Sequence, residues 1–167
     1  MNDRARLASP LSKERLRVWL KMLKATRAVE TELRERMRLT FGTTLPRFDV
    51  MAALHRAEEE TGSGLRMSEL SEALRVSNGN VTGIVDRLVE DGHVRREAVR
   101  GDRRSSRVRL TPEGRAAFEE MAEIHEVWVD QLLSPIGAAG LETILTRLAR
   151  LTDERGEGAA IAKDAAE

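Results

Sequence analysis

The chain has 167 residues, of which 41% are hydrophobic and 34% charged, with two Trp, three Phe, no Tyr and no Cys; its 28 basic and 28 acidic residues cancel. That length suits one domain with a lean, mostly aliphatic core, and the missing cysteines exclude disulfide scaffolds, thiolate metal sites and thiol switches. No apolar run could span a membrane and residues 1–17 lack the apolar segment of a signal peptide, so a cytoplasmic protein without membrane contact is expected.

Residues 1–10 read as a flexible N-terminus, ending in an N-cap and helix-initiating pair, Ser9-Pro10. Leu16, Trp19, Leu20, Leu23, Val29, Leu33 and Met37 then recur every three or four residues, predicting a long amphipathic helix over about 12–40. Gly42 ends it. A second helix starts at Thr44-Leu45-Pro46 with Phe48, Met51, Leu54 and Ala57 on one face, and stops at Glu58-Glu59-Glu60 and the Gly62-Ser63-Gly64 loop. Leu65–Met67 reads as a short strand segment, and Ser68 as the N-cap of a short helix carrying Leu70, Ala73 and Leu74 inward.

After a turn at Val76-Ser77, Ser77 caps a helix over 78–91 whose Val81, Ile84, Val85 and Leu88 fall at i, i+3, i+4 and i+7; Gly92 closes it. Residues 94–99 and 107–110 read as two strands around a polar tip, 100–106. In the second strand Val108 and Leu110 face inward, with Arg107 and Arg109 outward. Thr111-Pro112 restarts a helix through Ala117, Met121, Ile124, Trp128 and Leu132. A last helix carries Leu141, Ile144, Leu145, Leu148 and Leu151 on one stripe, and 156–167 reads as a flexible tail.

The zero net charge conceals segregation. Residues 1–47 hold 12 basic and 5 acidic groups, or +7, and residues 95–110 hold 7 and 2, or +5, all seven being arginine. Arginine makes planar bidentate contacts to phosphate and base edges, so a dense patch of it marks a polyanion site. Just before the patch, the 78–91 helix presents Asn78, Gly79, Asn80, Thr82 and Gly83 outward. These are short, uncharged side chains; Asn pairs bidentately with adenine edges in a major groove. Its two glycines each cost helix stability of about 1 kcal/mol relative to Ala, which close approach to a duplex would offset. The arrangement is a winged helix, mainly α with a small β-wing: the helix enters the major groove and the hairpin tip, through Arg103 or Arg104, an adjacent minor groove of enhanced negative potential. Asp102 would hold the tip through a bridge to a neighbouring Arg. Arg87 would meet a phosphate or pair with Asp86 or Glu90.

The stretch Asp102 to Gly114 resembles the wing signature of the MarR (multiple antibiotic resistance regulator) family, D-x-R-S-x-x-V-x-L-T-x-x-G, at every fixed position. Ser77 to Leu88 is similar to the family's recognition helix, and the order of elements matches over about 12–152. The resemblance implies a homodimer built on helices at 11–44 and 112–155, around a winged helix-turn-helix at 45–111. It implies a pseudo-palindromic operator, usually repressed, and release from it by a small aromatic ligand entering a crevice between dimer and DNA-binding regions. In such a dimer the two recognition helices lie one DNA turn apart, roughly 34–36 Å. Thr43 to Asp49, with the recognition helix, looks like members that regulate aromatic-acid catabolism, some of which respond to aromatic acyl-CoA thioesters.

Expected DNA contacts are therefore Asn78, Asn80 and Thr82 to bases, Arg103 or Arg104, foremost Arg104, in the minor groove, and Ser77, Arg87 and Arg107 to the backbone. Trp19, Phe48, Met51 and Trp128 are the candidates for an effector pocket. No cofactor or metal is expected: His55, His93 and His125 lack ligand spacing, and no nucleophile, base or phosphate-loop constellation supports an enzyme. The competing reading is a winged helix that binds a protein partner instead of specific DNA, which would lack the steep salt dependence of phosphate neutralisation.

Overall fold

The computed structural model describes the backbone of residues 10–99 and 102–164, and the side chains of 11–98 and 106–152. Helix α1 (Pro10–Phe41) is followed by α2 (Leu45–Thr61), strand β1 (Leu65–Arg66), α3 (Met67–Leu74), α4 (Asn78–Glu90), β2 (Val94–Val99), β3 (Asp102–Leu110), α5 (Pro112–Leu133) and α6 (Ala138–Asp164). The chain divides into two units, Met1–Val129 and Asp130–Glu167. Helices and strands expected from periodicity are all present. Two elements run further than expected. β3 begins at Asp102, so most of the polar tip belongs to the strand, and α6 continues through the Gly/Ala-rich stretch to Asp164.

The core of the first unit lies where α2, α3, α4 and the sheet meet. Val50, Leu54, Leu70, Val81, Val85 and Val108 are fully buried there, and Met51 and Leu88 almost so. Helix α4 keeps the expected face inward except Ile84, which is only partly covered. Only the C-terminal half of α1 joins this core, through Leu33 and Met37; Leu11, Leu16, Val18, Trp19 and Leu20 in its N-terminal half are exposed. In the second unit α6 leaves Leu141, Ile144, Leu145, Leu148 and Leu151 exposed along the expected stripe.

The three strands form an antiparallel sheet in the order β1-β3-β2. Leu65 pairs with Val108 and Arg66 with Arg107, while Val94 pairs with Leu110 at the base of the hairpin, and the register shifts between Ala98 and Val99. The strand alternation holds for Val108 and Leu110, which are buried. Arg107 and Arg109 are not turned to open solvent, however. The Arg107 guanidinium donates to the Gly64 carbonyl at 2.5 Å, and Arg109 to the Gly62 carbonyl at 3.1 Å. Gly64 is required at that junction: a β-carbon there would overlap the Val108 carbonyl.

One buried carboxylate ties three elements together. Glu58, 9% exposed near the end of α2, accepts the Leu110 backbone N–H at 2.9 Å and the Arg115 guanidinium at 2.6 Å, with Arg109 Nε 3.7 Å away. A buried charge persists only when paired and hydrogen-bonded, and both conditions are met. Beside it, Thr111 caps α5: its hydroxyl accepts Gly114 N–H at 2.9 Å and donates to the Gly92 carbonyl at 2.7 Å. A β-carbon on Gly114 would collide with the His93 backbone. The Thr-x-x-Gly of the wing signature thus packs the start of α5 onto the end of α4. Ser68 does not cap α3. The Glu69 carboxylate reaches back to the Arg66 N–H at 2.7 Å instead, and the helix begins one residue before Ser68.

α2 meets α5 through rings. Phe48 stacks on Phe118 at 5.4 Å and on His125 at 4.7 Å, and His55 lies 4.8 Å from Phe118. Burial holds the His125 imidazole below its ordinary value of 6.5.

Two outcomes follow for stability. Glu58→Ala leaves the Leu110 N–H unsatisfied and removes a charge-assisted bond, so it should cost about 2–3 kcal/mol in urea unfolding. Glu59→Ala, at an exposed site, should stay within about 0.5 kcal/mol. The folded state resists protonating His125 while the unfolded chain accepts the proton freely. Its contribution is therefore complete above the ordinary imidazole value and is lost as pH falls through that value toward the depressed one. His125→Gln should flatten the decline of Tm measured between about pH 7 and pH 5; an unchanged slope would place the titration elsewhere.

Candidate nucleic-acid interface

Helices α3 and α4 are joined by a three-residue turn, Arg75 to Ser77. Arg75 adopts a left-handed conformation, φ 53°, and the Ser71 hydroxyl donates to the Val76 carbonyl at 2.5 Å, holding the reversal. Ser77 has the extended backbone of an N-cap and its hydroxyl accepts Asn80 N–H at 3.4 Å, a long bond. The hydroxyl expected on the DNA backbone is thus at the helix N-terminus, where unpaired N–H groups favour an anion.

On α4, Asn78, Asn80 and Thr82 are all exposed, and neither Asn side chain has a hydrogen-bond partner among the described residues. Thr82 donates its hydroxyl to the Asn78 carbonyl at 2.8 Å, so it retains only acceptor capacity and its methyl group for a ligand. A β-carbon on Gly79 or Gly83 would meet nothing within 4 Å. Nothing within the chain requires glycine at these positions, although each weakens the helix.

Ion pairs fix the surroundings of this face. Asp86 does not pair with Arg87; it takes Arg96 of β2 at 2.7 Å, linking α4 to the hairpin. Arg47 of α2 reaches Asp91 just past α4 at 3.1 Å. Arg87 forms no ion pair among the described residues. Arg107, expected on the DNA backbone, holds Gly64 and lies 3.8 Å from Glu69, so its placement anchors the base of the wing. The backbone of Asp102, Arg103 and Arg104 forms the start of β3, but their side chains lie outside the described residues.

Along one flank of α4 runs an open groove of about 670 Å³, lined by Arg34, Thr44, Pro46, Arg47, Val76, Gly79, Asn80, Gly83, Ile84 and Arg87. Its apolar surface is Pro46, Val76 and Ile84, and three guanidiniums stand around it. Arg34 reaches Glu30 only at 3.7 Å. The four residues expected in an effector pocket do not line the groove. Phe48 and Met51 are core, Trp128 packs on Phe41 at 6.0 Å, and Trp19 lies on the exposed half of α1. Sequence reasoning named Asn80 and Arg87 for DNA alone and missed the groove, because it is assembled from α1, the start of α2 and α4.

Comparison with known proteins agrees with this geometry. A family model described as MarR family matches residues 41–105. A crystal structure of a MarR family transcriptional regulator from Silicibacter pomeroyi is 30% identical, with a TM-score of 0.71, and the match covers 88% of this chain and 99% of that one. The chain belongs to the MarR family. BadR of Rhodopseudomonas palustris, a transcriptional activatory protein, is 36% identical over 98 residues, 59% of this chain and 50% of its own. This MarR-family chain spans about half the length of such curated relatives. Sco3205 of Streptomyces coelicolor, a MarR family regulator solved in complex with DNA, shares the fold at a TM-score of 0.72 and 24% identity, over 84% of this chain and 90% of that one. No helix among the described residues is long and apolar enough to cross a membrane, and no cluster of three or more His, Asp or Glu placed to hold a metal ion occurs among them.

The two kinds of glycine should separate in unfolding experiments. Gly83→Ala, into open space on a helix, should raise stability by about 1 kcal/mol. Gly64→Ala, against the Val108 carbonyl, should lower it by about 1–3 kcal/mol.

Proposed function

We propose that this MarR-family chain is a dimeric, sequence-specific DNA-binding transcriptional regulator. The observation that carries the reading is the outer face of α4: two Asn side chains without partners among the described residues, beside two glycines with open space around them, on a capped helix followed by an Arg-rich hairpin. Asn78, Asn80 and Thr82 read base edges from the major groove. Arg103 and Arg104 enter the minor groove, and Ser77 and Arg87 meet phosphates. Arg107 aligns the wing, and Asp102 steadies its tip. The DNA complex of Sco3205 supports duplex DNA as the partner of this fold. The regulator acts as a repressor released by an effector, as is usual in the family, while BadR, an activatory protein, supplies the contrary precedent that a reporter assay resolves.

The groove beside α4 suits the effector, a small aromatic carboxylate. Val76, Ile84 and Pro46 offer an apolar surface for a ring, and Arg34, Arg47 and Arg87 offer cations to its carboxylate or to the anionic groups of an acyl-CoA thioester. Asn80 and Arg87 belong to both the groove and the DNA face. An occupant therefore competes with the operator for the same side chains, so each ligand weakens the other by the same factor.

Fluorescence anisotropy on duplex DNA from upstream of its own gene, against a scrambled duplex and at two salt concentrations, tests the reading. Specific binding should fall steeply with salt. Arg104→Ala should cost about 1–3 kcal/mol of operator affinity with the fold intact, and Gly83→Ala should weaken binding despite stabilising the protein. Equal, salt-insensitive affinity for both duplexes would sink the DNA reading in favour of a protein partner. Benzoate-type acids and their CoA thioesters, titrated separately into the complex, should release the operator for wild type and not for Arg87→Ala at matched DNA occupancy.

A further inference from the structure

Three Asn occur in the chain, Asn2, Asn78 and Asn80, and only Asn78 precedes a glycine. Asn78 and Gly79 open α4, and every residue from Arg75 to Asn80 is exposed. The Asn78 amide has no hydrogen-bond partner among the described residues. Neither does the Gly79 backbone N–H, one of the donors that a helix start leaves unpaired. A β-carbon on Gly79 would meet nothing within 4 Å, so no neighbouring element shields that nitrogen.

Asn80, in the same turn, supplies the contrast. The N–H that follows it, that of Val81, donates to the Ser77 carbonyl at 3.1 Å, and the Val81 side chain is fully buried. Asn78 is held more lightly. The Thr82 hydroxyl donates to its carbonyl at 2.8 Å, and the Ser77 cap on this turn is long, at 3.4 Å. Glycine at 79 and 83 lowers the helix propensity here. The first turn of α4 therefore opens at small cost, without disturbing the buried residues from Val81 onward.

We propose that Asn78-Gly79 is a self-modifying site, at which solvent water converts the Asn78 amide to a carboxylate that no longer reads the operator. When the first turn opens, the Gly79 nitrogen gives its proton to solvent base and attacks Cγ of Asn78. The bond from Cγ to the side-chain nitrogen breaks, and ammonia leaves. Water then adds to either carbonyl of the cyclic imide and breaks that carbonyl's bond to the Gly79 nitrogen, leaving Asp or isoAsp at position 78. One water enters and one ammonia departs, with no change of oxidation state. The helix accepts the Asp product, because an acid at its first position faces the positive end of the dipole. DNA does not: an amide able to pair with adenine becomes an acceptor-only anion among phosphates. That consequence rests on the DNA reading above, whereas the reaction does not. A bound duplex covers this face, so the conversion belongs to the free protein and limits how long a released copy can rebind.

The test incubates the full chain free, bound to duplex DNA from upstream of its gene, and unfolded in urea, then sequences the tryptic peptide Val76–Arg87 by mass spectrometry. The free chain should gain, at Asn78 and not at Asn80, the mass that replaces NH2 by OH, faster in mildly alkaline than in mildly acidic buffer. Gly79→Ala should slow the gain roughly 10-fold, because a methyl group crowds the attacking nitrogen and narrows its backbone freedom. Bound operator should slow it as well. Asn78→Asp should keep the wild-type circular dichroism and lose roughly 10- to 100-fold in operator affinity by anisotropy. A folded chain that stays unmodified while the unfolded one converts would overturn the proposal, as would equal conversion at Asn80. Full operator affinity in Asn78→Asp would overturn it too, since the product would then still read DNA. A wild type with no specific duplex binding would remove the DNA reading, and the mass gain would separately decide whether the site modifies itself.

Discussion

The Glu58 carboxylate sits where the end of α2, the last residue of β3 and the first turn of α5 converge, and the packing of the first unit depends on it. One oxygen takes a backbone N–H of the wing strand and the other a guanidinium from α5, so the charge is satisfied only when all three elements are in place. A hydrophobic contact could slide by a residue at small cost. This one cannot, because moving β3 in register strands both a buried charge and a buried N–H. Directly beside it the Thr111 hydroxyl and the missing Gly114 side chain press the end of α4 against the start of α5. Helix α4 and the β2–β3 hairpin are therefore mounted on one junction.

From that junction outward the structure shifts from satisfied to unsatisfied groups. Arg107 and Arg109 cap loop carbonyls at the base of the wing, and Arg96 takes Asp86 halfway along. On the outer face of α4 the Asn side chains and Arg87 lack hydrogen-bond and ion-pair partners among the described residues, and glycine stands where alanine would stabilise the helix. Local choices that lower stability without helping the fold mark surfaces kept for a ligand. The groove shares part of that face, through Gly79, Asn80, Gly83 and Arg87.

Much of this was legible in one dimension. Val81, Val85 and Leu88 declare the buried face of α4 by their spacing, Ser77 and Thr111-Pro112 declare helix starts, and the wing signature declares the hairpin. These are short-range patterns in which period or cap decides the outcome. What stayed hidden depends on partners far along the chain. Nothing local separates Glu58 from Glu59 and Glu60, because its partners lie 52 and 57 residues away. Arg107 and Arg109 obey strand alternation and point away from the core, yet the Gly62–Gly64 loop folds over to meet them. Glu69 displaced Ser68 as the cap because its longer side chain reaches back to the Arg66 N–H, which a hydroxyl one residue into the helix does not. The groove drew its walls from three separate segments, and no single stretch announced it.

The chain's two tryptophans differ in environment, and with no tyrosine present they alone dominate its near-ultraviolet emission. Trp128 is partly covered, with Phe41 against one side and the Arg36 guanidinium 6.0 Å from its ring centre. Trp19, 54% exposed, stands between Val18 and Leu20 on the half of α1 that the core never reaches. The molecule thus carries two optical labels in unlike surroundings. One indole is tuned to packing between α1 and α5 within the chain, and the other is open to whatever approaches the unburied half of its longest helix.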